Sequence, residues 1–315
     1  MTVDRQPRSG AGIPGPSDPI TRLAVDAAAE RLGPPPAAAR SRLLAAARAA
    51  RRPAGAAGHP APYAARVAAM DALLASAAPA DLSRRIVEGW TLTELVAHLA
   101  AVDGLVAAAL GTPVAGPPPG ADDPIARTAE LHAHIRDLPA DRVRAEWLDQ
   151  AAALAERAAA TDPGTPVTAS GMTLPLADHL LARALETWIH TADAAAVLGL
   201  ALPRPITEHI RPTADLCARL VPVTMALSGL AAPGRTLRLT LTGDGGGTWH
   251  LPLAPQEPAE PPAGTPADTE ISCDAVAFCF LLGGRGSPDA FPADVHGDHA
   301  LARDILHAAP ALSGP

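Results

Sequence analysis

The sequence predicts a four-helix bundle followed by a small α+β domain. Two observations predict it. Between residues 61 and 200, four segments carry apolar residues at helical spacing, separated by loops. After residue 230 the pattern changes: Arg235-Thr236-Leu237-Arg238-Leu239-Thr240-Leu241-Thr242 alternates strictly, as a half-buried strand does.

The organisation read from the chain is a Pro/Ala/Arg-rich arm over 1–60, a bundle over 61–200, a bridging helix over 201–230 and an α+β unit over 231–311. The arm contains PPP and PAGAAGHP and two short helical stretches, and its composition is that of a largely disordered segment. In the bundle, Val67, Met70, Leu73 and Leu74 predict a helix over about 62–77. Thr91 and Glu94, three apart, form a capping box, with Trp90 and Leu95 placed as a hydrophobic staple, so a second helix runs from there to about Leu110 and stops at Gly111. A third helical region covers about 125–160, broken near Leu138-Pro139, and a fourth helix runs from near Thr173 to Gly199. The bridging helix covers about 205–228 and is interrupted or kinked near Pro212 and Pro222. The Gly243–Gly247 run is a hairpin turn with a returning strand from Thr248 to Leu253. A strand at Glu270–Cys273, a short helix capped by Asp274 and a last helix from Asp298 to about Ala308 complete the chain.

Composition excludes several classes. Of 315 residues 48% are hydrophobic and only 18% charged, with a net charge of −8, so there is enough apolar mass for one or two cores and no basic surface of the kind nucleic acid requires. The arginine cluster is local: Arg40, Arg42, Arg48, Arg51 and Arg52. Lysine and asparagine are absent, the mark of a GC-rich bacterial genome rather than of function. Cys217, Cys273 and Cys279 make no CxxC motif or disulfide framework and read as buried thiols. No signal-peptide core opens the chain, and the best apolar run, 214–233, is broken by Asp215, Arg219 and Pro222. The expectation is a soluble cytoplasmic protein.

The residues that carry chemistry lie on two helices. Glu186 and His190, four apart, put a carboxylate and an imidazole on one helix face, and His98 lies on another helix near the edge of its apolar arc. Two imidazoles and a carboxylate are a zinc-type ligand set, and three protein ligands leave a fourth position open for chemistry. On a helical wheel His179, Arg183, Glu186, His190 and Asp193 share a stripe roughly 80° wide. The spacing equally describes a solvated Glu–His pair, and His98 alone a satisfied core histidine; the residues by themselves leave both readings open. Arg183, one turn before Glu186, is a candidate partner for a substrate carboxylate, and Asp193 a candidate to hold His190. His132 and His134, two apart, cannot share a face and receive no role.

The segments GWTLTELVAHLAAVD (89–103) and LARALETWIHTADAAAVLG (181–199) resemble the two signature segments of the mycothiol-dependent maleylpyruvate isomerase family. RLTLTGDGGGTWHLPL, AVAFCFLLGGR and HGDHALARDIL resemble that family's small C-terminal domain. The resemblance implies a DinB-like metal-binding bundle joined to a sterol-carrier-like α/β domain, with a divalent metal, usually zinc, held by His98, Glu186 and His190. It implies mycothiol as the thiol cofactor, cis–trans isomerisation or S-transfer on a small electrophile, and Arg285 as a family arginine reaching over the bundle mouth. Two alternatives stand beside it: a non-catalytic metal- or ligand-binding regulatory protein, and a zinc hydrolase.

Overall fold

The computed structural model describes residues 57–255 and 266–313. The expectation of a disordered arm therefore falls almost wholly outside the described residues, as does most of the Pro-rich 254–267 stretch. The described residues form one compact unit, with two apolar cores.

The first core belongs to a helical bundle. Helix α1 is Ala61–Ser76 and buries Tyr63, Val67, Met70, Leu73 and Leu74. Helix α2 is Leu92–Ala109. Its expected capping box is present: the Glu94 amide donates to Thr91 Oγ1 at 3.2 Å and the Thr91 amide donates to Glu94 Oε2 at 2.7 Å, an arrangement worth about 1 kcal/mol. The region predicted as one broken helix is two: α3, Pro124–His134, capped by Asp123, and α4, Ala140–Ala159, which starts after Pro139. Helix α5 is Leu176–Leu198 and ends on Gly199 in the left-handed region at φ 68°. Helices α1 and α4 each pack against both neighbours in a ring with α2 and α5, and α3 packs on α2. Leu92, Leu95, Leu99, Trp147, Leu154, Leu176 and Leu180 are fully buried between them, each leucine contributing on the order of 1.5–3 kcal/mol.

Two expectations change here. The helix expected from Thr173 starts at Leu176, because 172–175 is the second strand of a hairpin: β1, Pro166–Ala169, pairs antiparallel with β2, Met172–Pro175. Ser170 and Gly171, both at positive φ (55° and 71°), make its two-residue turn. Among the described residues, the segment that meets the length and composition of a membrane span is α2 rather than 214–233; it is a core helix of the bundle, 72% buried.

The second core is built on a four-stranded mixed sheet in which the strand Thr236–Thr242 lies between Gly247–Pro252 and Thr269–Asp274, with Asp294–Gly297 beyond the latter. Strands β3 (Thr236–Thr242) and β4 (Gly247–Pro252) form the predicted hairpin, with Leu237 opposite Leu251. Strand β5 (Thr269–Asp274) runs parallel to β3, and β6 (Asp294–Gly297) closes the far edge. The sequence reading did not anticipate β6, a four-residue edge strand without an alternating apolar pattern. Leu237, Leu239 and Leu241 face α6 (Thr207–Leu227), α7 (Ala275–Leu282) and α8 (His299–Ala308) in the core. Helix α6 continues through both Pro212 and Pro222, and its Ala214, Cys217, Ala218, Val221 and Met225 belong to this second core.

Candidate metal centre

Helices α2 and α5 bring His98, Glu186 and His190 together: one ligand atom from each lies within 4.8 Å of the others. His98 Nε2 is 2.9 Å from Glu186 Oε1, and the two imidazoles meet edge to face with centroids 5.2 Å apart. Both histidines are buried, at 8% and 5% exposure, whereas the Glu186 side chain keeps 31%. The cluster is therefore dry on its histidine side and open on its carboxylate side.

Each group is held by a neighbour. His98 Nδ1 is 3.0 Å from Thr128 Oγ1 on α3, which fixes the ring and directs Nε2 at the cluster. Trp90 lies against the same ring, centroids 4.8 Å apart. Burial lowers the His98 pKa and outweighs the opposing pull of Glu186, so the imidazole is neutral, the form that binds a metal. Burial pushes the Glu186 carboxyl up, but the Arg183 guanidinium and His98 together hold it well below the usual carboxylate range. His190 Nδ1 is buried and lies 3.3 Å from Asp193 Oδ2 without the alignment of a hydrogen bond.

Behind Glu186 stands a buried polar network. Arg183 donates from Nη1 to Glu186 Oε2 and from Nε to Asp103 Oδ1 at 2.8 Å. Asp103, fully buried, also accepts from Tyr63 Oη at 2.7 Å and Trp147 Nε1 at 3.0 Å. On the other side Arg285, from the loop after α7, grips Asp193 with two donors, Nε to Oδ1 at 3.0 Å and Nη2 to Oδ2 at 2.7 Å. That loop lies hard against α5: a Cβ on Gly283 would clash with Ile189 Cδ1. Burial raises the Asp193 pKa, and His190 with Arg285 more than offsets it, so the net shift is downward.

The five residues of the predicted stripe thus divide. Glu186 and His190 join His98. Asp193 lies between His190 and Arg285. Arg183 turns inward, 5% exposed, to Asp103 and Glu186. His179 is drawn away: its Nε2 donates to Val167 O on β1 at 2.9 Å. Sequence reasoning missed Thr128, for which the sequence carries no signal, and Asp103, for which it does: a carboxylate set among apolar residues in the second half of α2. The donor set suits a zinc-type ion, with two imidazoles, one ionised carboxylate, a buried histidine nitrogen without an aligned partner and a solvent-facing side.

Comparison with known proteins finds similar chains. Residues 63–195 match the family model described as the mycothiol maleylpyruvate isomerase N-terminal domain. Two uncharacterised proteins from two strains of Mycobacterium tuberculosis are each 28% identical over 237 residues, covering 72% of this chain and 84% of theirs. Among solved structures, the crystal structure of the mycothiol-dependent maleylpyruvate isomerase aligns at 23% identity and a TM-score of 0.48, over 75% of this chain and 91% of that one. A histidine-to-alanine mutant of the same enzyme aligns at 22% and 0.47. The helical bundle of this chain, over residues 63–195, is thus similar to the N-terminal domain of the mycothiol maleylpyruvate isomerase family.

Proposed function

We propose that this chain is a metal-dependent enzyme with mycothiol as its thiol cofactor, acting on a small electrophile by cis–trans isomerisation of the maleylpyruvate type or by S-transfer. The observation that carries the proposal is the convergence of His98, Glu186 and His190 inside a bundle similar to that family's N-terminal domain. A divalent metal bound there, which we assign as zinc, would favour the thiolate form of the cofactor, the nucleophile such an addition needs.

The chain's own residues supply the rest. Thr128 presents His98, and burial keeps that imidazole neutral and ready to ligate. Glu186, open to solvent, marks the side from which cofactor and substrate approach. Arg285 is the cation we assign to a substrate carboxylate: three of its five N–H groups are engaged by Asp193 and Gly283, which leaves two donors on a side chain 30% exposed. Asp193 holds that guanidinium in place beside His190. We assign the protein to a reducing cytoplasm, consistent with its three free cysteines.

The test is an assay of purified protein with a maleylpyruvate-type cis dicarboxylate and with simple S-acceptor electrophiles, each with and without mycothiol. Turnover that requires both mycothiol and metal supports the reading. Thiol-independent hydrolysis, or turnover unaffected by metal removal, contradicts it.

A further inference from the structure

We propose that Arg183, locked by Asp103, is a positioning residue: it occupies one oxygen of Glu186 and leaves the other, Oε1, as the single oxygen that carboxylate offers a metal. The proposal rests on the metal reading above and adds to it how the open coordination position is kept open. Arg183 also ceases to be a candidate for holding substrate.

The geometry supports each part. Arg183 Nη1 donates to Glu186 Oε2, while Oε1 lies 2.9 Å from His98 Nε2 on the ligand side of the cluster. A carboxylate with both oxygens free can chelate one ion through both; one whose second oxygen accepts a charge-assisted hydrogen bond gives up that donor. The arginine cannot swing away, because its Nε is tied to Asp103. Asp103 cannot follow it, because Tyr63 and Trp147 hold its other oxygen from α1 and α4. The guanidinium is buried and its Nη2 has no hydrogen-bond partner and no solvent access, so no substrate reaches it in this arrangement.

Charge could oppose this role, since a cation beside a dication weakens binding. Asp103 removes that objection: the Arg183–Asp103 pair sums to zero at 2.8 Å, and what remains is orientation. A buried ion pair is a poor source of stability compared with apolar packing. Keeping one behind a ligand is what a positioning role requires.

The experiment uses the full chain with cobalt(II) in place of zinc, because cobalt's visible bands are intense at four ligands and weak at five or six. The double variant Asp103→Asn/Arg183→Gln replaces an ion pair with a neutral pair, so the charge near the metal is the same as in wild type. Arg183→Lys keeps the charge against Asp103 but loses the fork, and serves if the double variant does not fold. The expected result is intense cobalt bands in wild type, weakened bands in either variant, and zinc affinity about 10–100-fold lower by competition with a chromophoric chelator. Variants with wild-type bands and affinities within about threefold of wild type would overturn the positioning role while leaving the metal reading intact. A wild-type chain that takes up no cobalt and no zinc would overturn both.

Discussion

The two cores of this protein are built on opposite terms. The bundle buries Arg66, His98, Asp103, Arg127, Asp178, His179, Arg183 and His190; among the described residues, no charged residue or histidine is buried after position 200, where the second core holds only threonines and cysteines beside its apolar side chains. Buried charges cost several kcal/mol each unless paired, so a region that keeps five charged side chains and three histidines from water is carrying something other than stability. The sheet domain resembles an ordinary hydrophobic core. Its contribution to the site comes from one loop, which brings Arg285 to Asp193.

The comparison can be broken from either side. The largest stability effect is expected in the bundle: Asp103→Ala removes the fully buried one of Arg183's two carboxylate partners, leaves Tyr63 Oη and Trp147 Nε1 without their acceptor, and should cost about 3–5 kcal/mol by denaturant titration. A loss under about 1 kcal/mol would mean the network is solvated and not a buried framework. Leu239→Ala, in the sheet core, should cost about 2–5 kcal/mol through cavity formation and leave metal content unchanged. Arg285→Gln should raise KM for a dicarboxylate substrate about tenfold, with kcat and metal content little changed; loss of metal instead would place Arg285 in support of His190 rather than on substrate.

Smaller effects sharpen the contrast. Thr91→Ala should lower stability by about 1 kcal/mol through loss of the α2 cap. The thiols give a pH test confined to the sheet domain. Burial pushes Cys273 up from 9.0 to about 12, so the folded state keeps its proton after the unfolded state has lost it. The unfolded chain then binds fewer protons, and this contribution to stability is intact below pH 9 and lost progressively as pH rises toward 12. Replacing Cys273 with alanine should flatten that alkaline slope; an unchanged slope would assign it elsewhere.

Much of this was legible in the sequence, for identifiable reasons. The capping box at Thr91–Glu94, the Gly199 stop and the alternating β3 are local signals, and local energetics decide them. The β1–β2 hairpin was hidden because four-residue strands carry too little periodicity to separate from the helix that follows. At the site, helical spacing placed Glu186 and His190 together, His98 stood as a candidate on a second helix, and the family resemblance implied that the three form one ligand set. The partners that orient them were out of reach: Thr128 meets His98 across 30 positions and Arg183 meets Asp103 across 80, contacts that only the packed bundle creates. The stripe also overreached with His179, because a hairpin absent from the reading supplies its partner.

The most direct test of the central claim is the zinc content of wild type, His190→Ala and His179→Ala by elemental analysis. The two histidines share a stripe on α5, but only His190 faces His98 and Glu186. About one zinc per chain in wild type and in His179→Ala, with none in His190→Ala, is the predicted result. No metal in wild type, or metal retained in His190→Ala, would contradict the account.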